Sequence, residues 1–295
     1  MRIFVTGASG WIGSAVTAEL IARGHEVVGL ARSDASADKV AAAGATVQRG
    51  DITDLDSLRA GADGVDGIIH TAFIHDFTAM ANSVAVDYAA VEFFGDLLAG
   101  SGRPLVIASG ILGAVSVETD RPDPATAPSP RIRTEHTLLG FADRGIRSSA
   151  VRLPPTVHGD GDHGFMAALI GIDRQKRSSG YVGDGTNRWP AVHRLDAAHL
   201  FCLALENAPA GSALHAVDDE GVPLREIAAV IGRHLDVPVV GVPADEAAEH
   251  FGWLGPLLAI DSPASSAITR ELLGWEPTHP NLIDDLEEGH YFRAK

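Results

Sequence analysis

Residues 2–22, RIFVTGASGWIGSAVTAELIA, decide how the rest of the chain is read. The apolar run Ile3-Phe4-Val5 reads as a strand, Gly7, Gly10 and Gly13 as a tight turn, and SAVTAELIARG as a helix. A glycine turn between strand and helix lets backbone approach a phosphate, while the helix start offers free N–H groups and a partial positive charge. The spacing is GxxGxxG, one residue longer than the general GxGxxG fingerprint. A glycine-rich hairpin is the plainer alternative, but a helix follows the glycines directly. The stretch therefore implies a bound dinucleotide, with Gly7, Ser9, Gly10, Trp11, Ile12 and Gly13 against its pyrophosphate.

Which dinucleotide is read from the end of the second strand. An acid there suits the free ribose of NAD, and an arginine accommodates the 2′-phosphate of NADP. Here the strand ends Gly29-Leu30-Ala31-Arg32, with Asp34 two residues further on. Arg32 occupies the discriminating position, so NADP(H) is expected; the alternative is a solvated Arg32 with Asp34 on the ribose.

Outward from this stretch, RIFVTG, HEVVGLA, ATVQRG, VDGIIHTA, RPLVIASG and IRSSAVRL alternate with helical segments such as AVEFFGDLLAGSG. Such alternation predicts an α/β fold, a doubly wound parallel sheet of the Rossmann type with helices on both faces. After Leu153 the rhythm breaks into glycine-, aspartate- and proline-rich loops. Helices resume at LDAAHLFCLALE, with Asp196 as N-cap, at PLREIAAVIGRHL and at PASSAITRELLG. Residues 1–152 are read as the dinucleotide-binding core. Residues 153–295 are read as a small, mostly helical substrate lobe over the carboxyl ends of the strands, able to share a strand with the core.

Composition narrows the partners. At 295 residues and 45% hydrophobic the chain buries a large core, and a net charge of −16 disfavours nucleic acid and anionic membranes. The single cysteine, Cys202, lies in an apolar helical run and reads as filler; with no signal peptide or membrane-spanning run, a cytoplasmic protein is expected. A small-molecule substrate is the expected partner, with a homodimer left open.

At this point the chain resembles the extended or atypical short-chain dehydrogenases/reductases, the NAD-dependent epimerase/dehydratase group. TGASGWIG is similar to that family's fingerprint, Gly50-Asp51-Ile52 to its adenine-contacting turn, and His70-Thr71-Ala72 to the strand end beside the cofactor ribose. Arg152-Leu153-Pro154-Pro155-Thr156-Val157-His158-Gly159 is similar to the segment lining the nicotinamide, and Ala191–Asp196 to a later strand and helix start. The resemblance implies cofactor contacts from Asp51, Ile52, Thr71, Ala72, Phe73, Leu153, Pro154 and Val157. It also implies a catalytic Ser/Thr, Tyr and Lys. Ser109 at the end of LVIASG matches the serine, but in ATAPSPRIRTEHTLLG, residues 125–140, the tyrosine position falls on Ala127 and the lysine position on Arg131. Residues 101–175 contain neither Tyr nor Lys, and the Tyr291…Lys295 pair stands at the end of the sequence.

Reducing a carbonyl requires a proton for the nascent alkoxide, and losing a general acid costs on the order of 10²–10⁴ in rate. Three ways out follow. A histidine could be the acid: His75, His158, His163 and His193 fall near the implied pocket, and His158 is first choice. A cyclic imine could arrive protonated, favoured by Asp76, Asp87, Asp160 or Asp162. Or the chain binds NADP(H) without turnover, as a sensor. The expected function is thus an NADP(H)-dependent reductase of a small or mid-sized ketone or imine, with a sugar-nucleotide epimerase or dehydratase ranked below. Arg131 can hold the cofactor ribose but cannot relay protons. Trp189 and Phe73 are candidate pocket walls and Arg188 an anion contact. Residues 158–163 hold two His and two Asp, yet adjacent loop ligands rarely close a metal shell, so no metal is expected.

Overall fold

Six β-branched runs form six parallel strands because helices cover both of their faces. The computed structural model describes residues 1–74, 79–127 and 129–293. Strands β1 (Arg2–Thr6), β2 (Glu26–Ala31), β3 (Thr46–Arg49), β4 (Gly67–His70), β5 (Pro104–Gly110) and β6 (Arg147–Leu153) alternate with helices. These are α1 (Trp11–Ala22), α2 (Asp34–Ala42), α3 (Leu55–Gly61), α4 (Met80–Leu98) and α5 (Ile132–Gly140). Side chains alternate along each strand. Ile3 and Val5 enter one core with Val16, Leu20 and Phe201, while Phe4 enters the opposite core with Ile68, Phe94 and Leu105.

Beyond residue 153 come β7 (Thr156–His158), α6 (Phe165–Lys176), β8 (Ser179–Val182), β9 (Arg188–His193), α7 (Arg194–Asn207), β10 (Ser212–His215), β11 (Asp219–Pro223), α8 (Leu224–Leu235) and β12 (Val239–Val242). Short helices α9 (Ala247–Phe251), α10 (Gly255–Leu258), α11 (Ala267–Leu273) and α12 (Leu282–Glu287) follow. The main sheet has seven strands in the order β10-β6-β5-β4-β1-β2-β3, all parallel. Strand β10 and helix α7 thus return to the sheet: Ser212 pairs with Ser149, and Phe201 and Leu205 of α7 pack on the α1 side. The other elements build a third core around Trp189, Ile227, Phe251 and Leu282, with small sheets β11-β9-β7 and β12-β8.

The start of α7 differs from expectation. Strand β9 runs straight into the helix, so extended His193 is the N-cap and its Nδ1 accepts from the Leu195 N–H at 3.3 Å. Asp196 lies within the first turn, where it accepts from the backbone N–H groups of Thr278 (3.0 Å) and His279 (3.1 Å). It anchors the segment after Trp275, whose fully buried indole donates to the Asp196 carbonyl.

Asp173, in the last turn of α6, is 0% exposed and accepts from Ser179 Oγ at 2.8 Å and the Gly180 N–H at 3.3 Å. Burial outweighs these bonds and raises its pKa from 3.8 to about 7. The folded protein therefore holds a proton that the unfolded chain has released between these values. The stability this contributes is fully present at low pH and is lost as pH rises through about 7. We expect the urea midpoint to fall between pH 5 and 8 by an amount that Asp173→Asn removes. Inside that window the difference in slope between the two proteins should approach about 1.4 kcal/mol per pH unit. Parallel pH profiles for both proteins would refute it.

Candidate active site

The chain runs β1-β2-β3 to one side and places β4 on the other, so a crevice opens between the carboxyl ends of β1 and β4, where open α/β sheets bind ligands. The glycine turn fills that place. Gly7 has φ +72°, and a Cβ there would lie 2.7 Å from Ala72 N. A Cβ on Gly13 would lie 2.1 Å from the Gly7 carbonyl oxygen, so the first turn of α1 rests directly on the loop. Gly10 caps α1 without a side chain, which leaves the helix start uncovered by any capping oxygen. This cradle fits a pyrophosphate, which needs backbone N–H groups and no Cβ in the way.

At the ends of β2 and β3, Arg32 extends with 75% of its side chain exposed, its Nε 3.8 Å from Asp51 Oδ2. Asp51 also accepts from Thr53 N and Oγ1, and Ile52 is buried beneath. Asp34 is engaged by Arg49 at 2.5 Å. Arg49, which the sequence reading passed over, stands opposite Ala31 in the strand register, next to the position of Arg32.

On the other side of the crevice, Thr6 Oγ1 and His70 Nδ1 share a buried hydrogen bond of 2.7 Å, and His70 Nε2 lies 3.3 Å from Asp87. Thr71 Oγ1 donates to the Thr6 carbonyl. The Arg131 guanidinium lies over the Phe73 ring at 4.4 Å and donates to the Ala108 carbonyl at 2.8 Å. Burial pulls the Arg131 pKa down, opposed by Asp87 and Glu135. Ser109, 4% exposed, donates to Glu135 Oε2 at 2.5 Å. Glu135 Oε1 in turn accepts from Arg152 Nη2 at 2.6 Å and Nε at 3.0 Å. Arg152 is fully buried and also donates to the Asp120 carbonyl at 2.8 Å. Its Nη1 lies 3.1 Å from His215 Nε2. The sequence reading passed over Glu135 and took Arg152 only as part of a segment, so the chain from Ser109 through Glu135 to Arg152 was missed.

The lobe-side candidates are distributed otherwise than expected. His158 is fully buried, its Nδ1 2.9 Å from Asp285 Oδ2 and its ring against His193. β7 pairs with β9 in the lobe, and His158 Nε2 is buried without a hydrogen-bond partner among the described residues. Val157 meets the cradle instead, its carbonyl accepting from Trp11 Nε1 at 2.9 Å. His163 packs edge-on against Trp11, and Arg194 stacks on that indole at 4.3 Å. Leu153 packs with Val157 against the sheet core, and Pro154 follows β6. Trp189 is 0% exposed and donates to the Ile260 carbonyl, so it belongs to the lobe core and not to a pocket wall. Arg188 is paired with Asp261 and is no free anion contact. Asp160 is exposed and lies 3.8 Å from His290. Tyr291 donates to Asp162, and burial with that carboxylate pushes its pKa well up. His75, Asp76 and Lys295 lie outside the described residues.

Ligand atoms of His193, Asp196 and His279 lie within 4.8 Å of one another, but each residue is already engaged. His193 Nδ1 caps α7, and both Asp196 oxygens accept from residues 278 and 279.

A sequence model of the NAD-dependent epimerase/dehydratase family matches residues 3–96. An uncharacterised protein of Schizosaccharomyces pombe is 49% identical over 300 aligned residues, covering 99% of this chain and 100% of that protein. The 4-hydroxy-2-methyl-3-oxo-4-farnesyl-3,4-dihydroquinoline-1-oxide ketoreductase of Stigmatella aurantiaca is 27% identical over 85% of this chain and 80% of its own. Among solved structures, the Thermus thermophilus UDP-glucose 4-epimerase complex with NAD has the same fold, with a TM-score of 0.73 at 21% identity over 99% of each chain.

Desolvation, then the neighbouring His158 and His279, lower the His193 pKa to about 4. The ring is therefore neutral wherever the unfolded chain's histidine is taking up a proton. Its contribution to stability is fully present above about 6.5 and is lost as pH falls toward 4. Histidine-ring NMR should show His193 uncharged from pH 8 to 5; a titration midpoint near 6.5 would contradict the geometry.

Proposed function

The chain belongs to the NAD-dependent epimerase/dehydratase family, and from that premise we propose that it is an NADP(H)-dependent oxidoreductase acting on a small or mid-sized C=O or C=N compound. One observation carries the reading: a glycine turn at the β1/β4 crevice, closed to any Cβ at positions 7 and 13, with Ser109 near the carboxyl end of β5, two strands from β1. Gly7, Gly10 and Gly13 would hold the pyrophosphate and Arg32 with Arg49 the 2′-phosphate, while Thr71, Ala72, Phe73 and Arg131 border the ribose and nicotinamide end. A bound dinucleotide would supply or take up the hydride. This chain's own residues orient the substrate and place its proton.

Redox chemistry at a carbonyl is favoured by the relatives that bear ketoreductase and 2-alkyl-3-oxoalkanoate reductase names. The absence of Tyr and Lys from residues 101–175 counts against the epimerase reading, which rests on that pair in this family. Among the described residues no helix is long and apolar enough to cross a membrane. With one buried cysteine, a cytoplasmic setting is part of the proposal.

The reading is tested by titrating NADPH and NADH and following NADPH oxidation with ketones and cyclic imines. NADPH should bind more tightly. Arg32→Ala should cost NADPH about 10- to 100-fold, the scale of lost charge-assisted hydrogen bonds, and leave NADH within about threefold. Gly13→Ala should abolish binding of both. Tighter NADH binding would overturn the cofactor assignment, and tight NADPH binding without turnover on any compound would leave a non-catalytic binder.

A further inference from the structure

Resting on that reading, we infer that Glu135 fixes Ser109 as a hydrogen-bond acceptor, so that the reacting heteroatom of the substrate carries a hydrogen: the O–H of an alcohol or the N–H of an amine or protonated imine. The inference turns on where one proton points. A serine hydroxyl has one hydrogen to donate and two lone pairs. In this structure the hydrogen of Ser109 is directed to Glu135 Oε2, 2.5 Å away. That carboxylate cannot release it by turning, because its other oxygen is held by two nitrogens of a fully buried guanidinium, at 2.6 and 3.0 Å. Arg152 is held in its turn by the Asp120 carbonyl and by His215.

Among the described residues, Glu135 is the one hydrogen-bond partner of Ser109 Oγ, so its lone pairs remain for a ligand. A ketone oxygen has only lone pairs of its own and gains nothing from such a group. An O–H or N–H completes it. Charge alone does not select here, since Arg131 and Arg152 stand against Asp87 and Glu135 in the same region. Glu135 is therefore a positioning residue that acts through Ser109. The tyrosine of the resembled family donates to a carbonyl, and this pair receives from a hydroxyl or an N–H.

Replacing Glu135 by Gln makes a sharp test. Arg152 still requires an acceptor, so the amide oxygen stays on the guanidinium and the amide N–H₂ turns to Ser109. Ser109 Oγ then accepts from the amide, and its own hydrogen is released toward the ligand. A structural role for Glu135 weakens all ligands together, whereas this one reverses a preference.

The experiment titrates three ring compounds of equal size, cyclohexanol, piperidine and cyclohexanone, into the full-length protein with and without NADP⁺, using calorimetry. Wild type should bind cyclohexanol and piperidine about tenfold more tightly than cyclohexanone, the scale of one unmatched buried polar group. Glu135→Gln should bring cyclohexanone level or ahead, and Ser109→Ala, which leaves the Glu135–Arg152 pair intact, should equalise the three. The inference is overturned by equal or tighter wild-type binding of cyclohexanone, by no binding of any probe, or by an unchanged ratio in Glu135→Gln. It is also overturned if piperidine alone gains, because charge is then what selects. Should Glu135→Gln fail to fold, the Ser109→Ala ratio decides. NADP⁺ affinity, measured separately, tests the oxidoreductase reading, and the probe ratio without nucleotide remains readable if that reading fails.

Discussion

The structure depends on the missing side chain of residue 13. With the Gly7 carbonyl oxygen 2.1 Å from where a Cβ would stand, α1 starts in contact with the loop that precedes it. That contact brings Val16 and Leu20 down onto Ile3 and Val5 of β1, and leaves room on the far side of α1 for Phe201 and Leu205 of α7. The phosphate cradle and one of the two sheet cores thus have the same cause. A residue with any side chain at position 13 would lift α1 from β1, opening a core whose large members cost about 2–5 kcal/mol each when truncated.

A second constraint is electrostatic. Arg152 points off β6 beneath α5 with no access to water, and an unpaired charge there would cost several kcal/mol. Glu135 meets it, and breaking such a pair from one side typically costs about 3–5 kcal/mol. The pair holds the first turn of α5 against β5 and β6 in the region where the resembled family carries its tyrosine and lysine. Arg131 reinforces the same docking from the helix start, bound to the Ala108 carbonyl and lying over Phe73. What replaces the missing pair is therefore first a means of seating the helix, and the polarity of Ser109 follows from how the helix is seated.

Much of this was legible in the sequence, and what was not has a common reason. The six strands, the glycine turn and the helices at 224–235 and 267–273 follow from local pattern, because burial on both faces and a period of 2 or 3.6 are written into neighbouring residues. The Ser109–Glu135–Arg152 chain joins residues 26 and 17 positions apart on three elements, and no local pattern announces it. The partners of His158 could not be read from the segment before it. Its direction is set by pairing with His193 in β9 and by Asp285, 127 residues away. The N-cap of α7 was misread by a similar route: an aspartate near a helix start suggests a cap, but a strand that enters the helix without a spare residue gives that position to the histidine.

The tyrosine of the terminal Tyr-x-x-x-Lys shows how the lobe limits the chemistry. Gly159 and Gly161 have φ of +140° and +85°, so the segment at the mouth of the crevice takes a path that only glycine follows readily. Such a path needs outside contacts to hold it. Tyr291 provides them, accepting from the Gly159 N–H at 3.3 Å and donating to Asp162 at 2.9 Å. Trp11 pins the other end through the Val157 carbonyl. In that brace the phenol is buried beside a carboxylate, both of which hold its proton in place and push its pKa upward. A tyrosine so placed stiffens the wall of the site and cannot serve as its acid. His158, paired to Asp285 through Nδ1, and His193, capping α7 as a neutral ring, belong to the same packed lobe. Under the proposed function, Ser109 and Glu135 on the sheet side of the crevice would then be the groups that meet the substrate's proton.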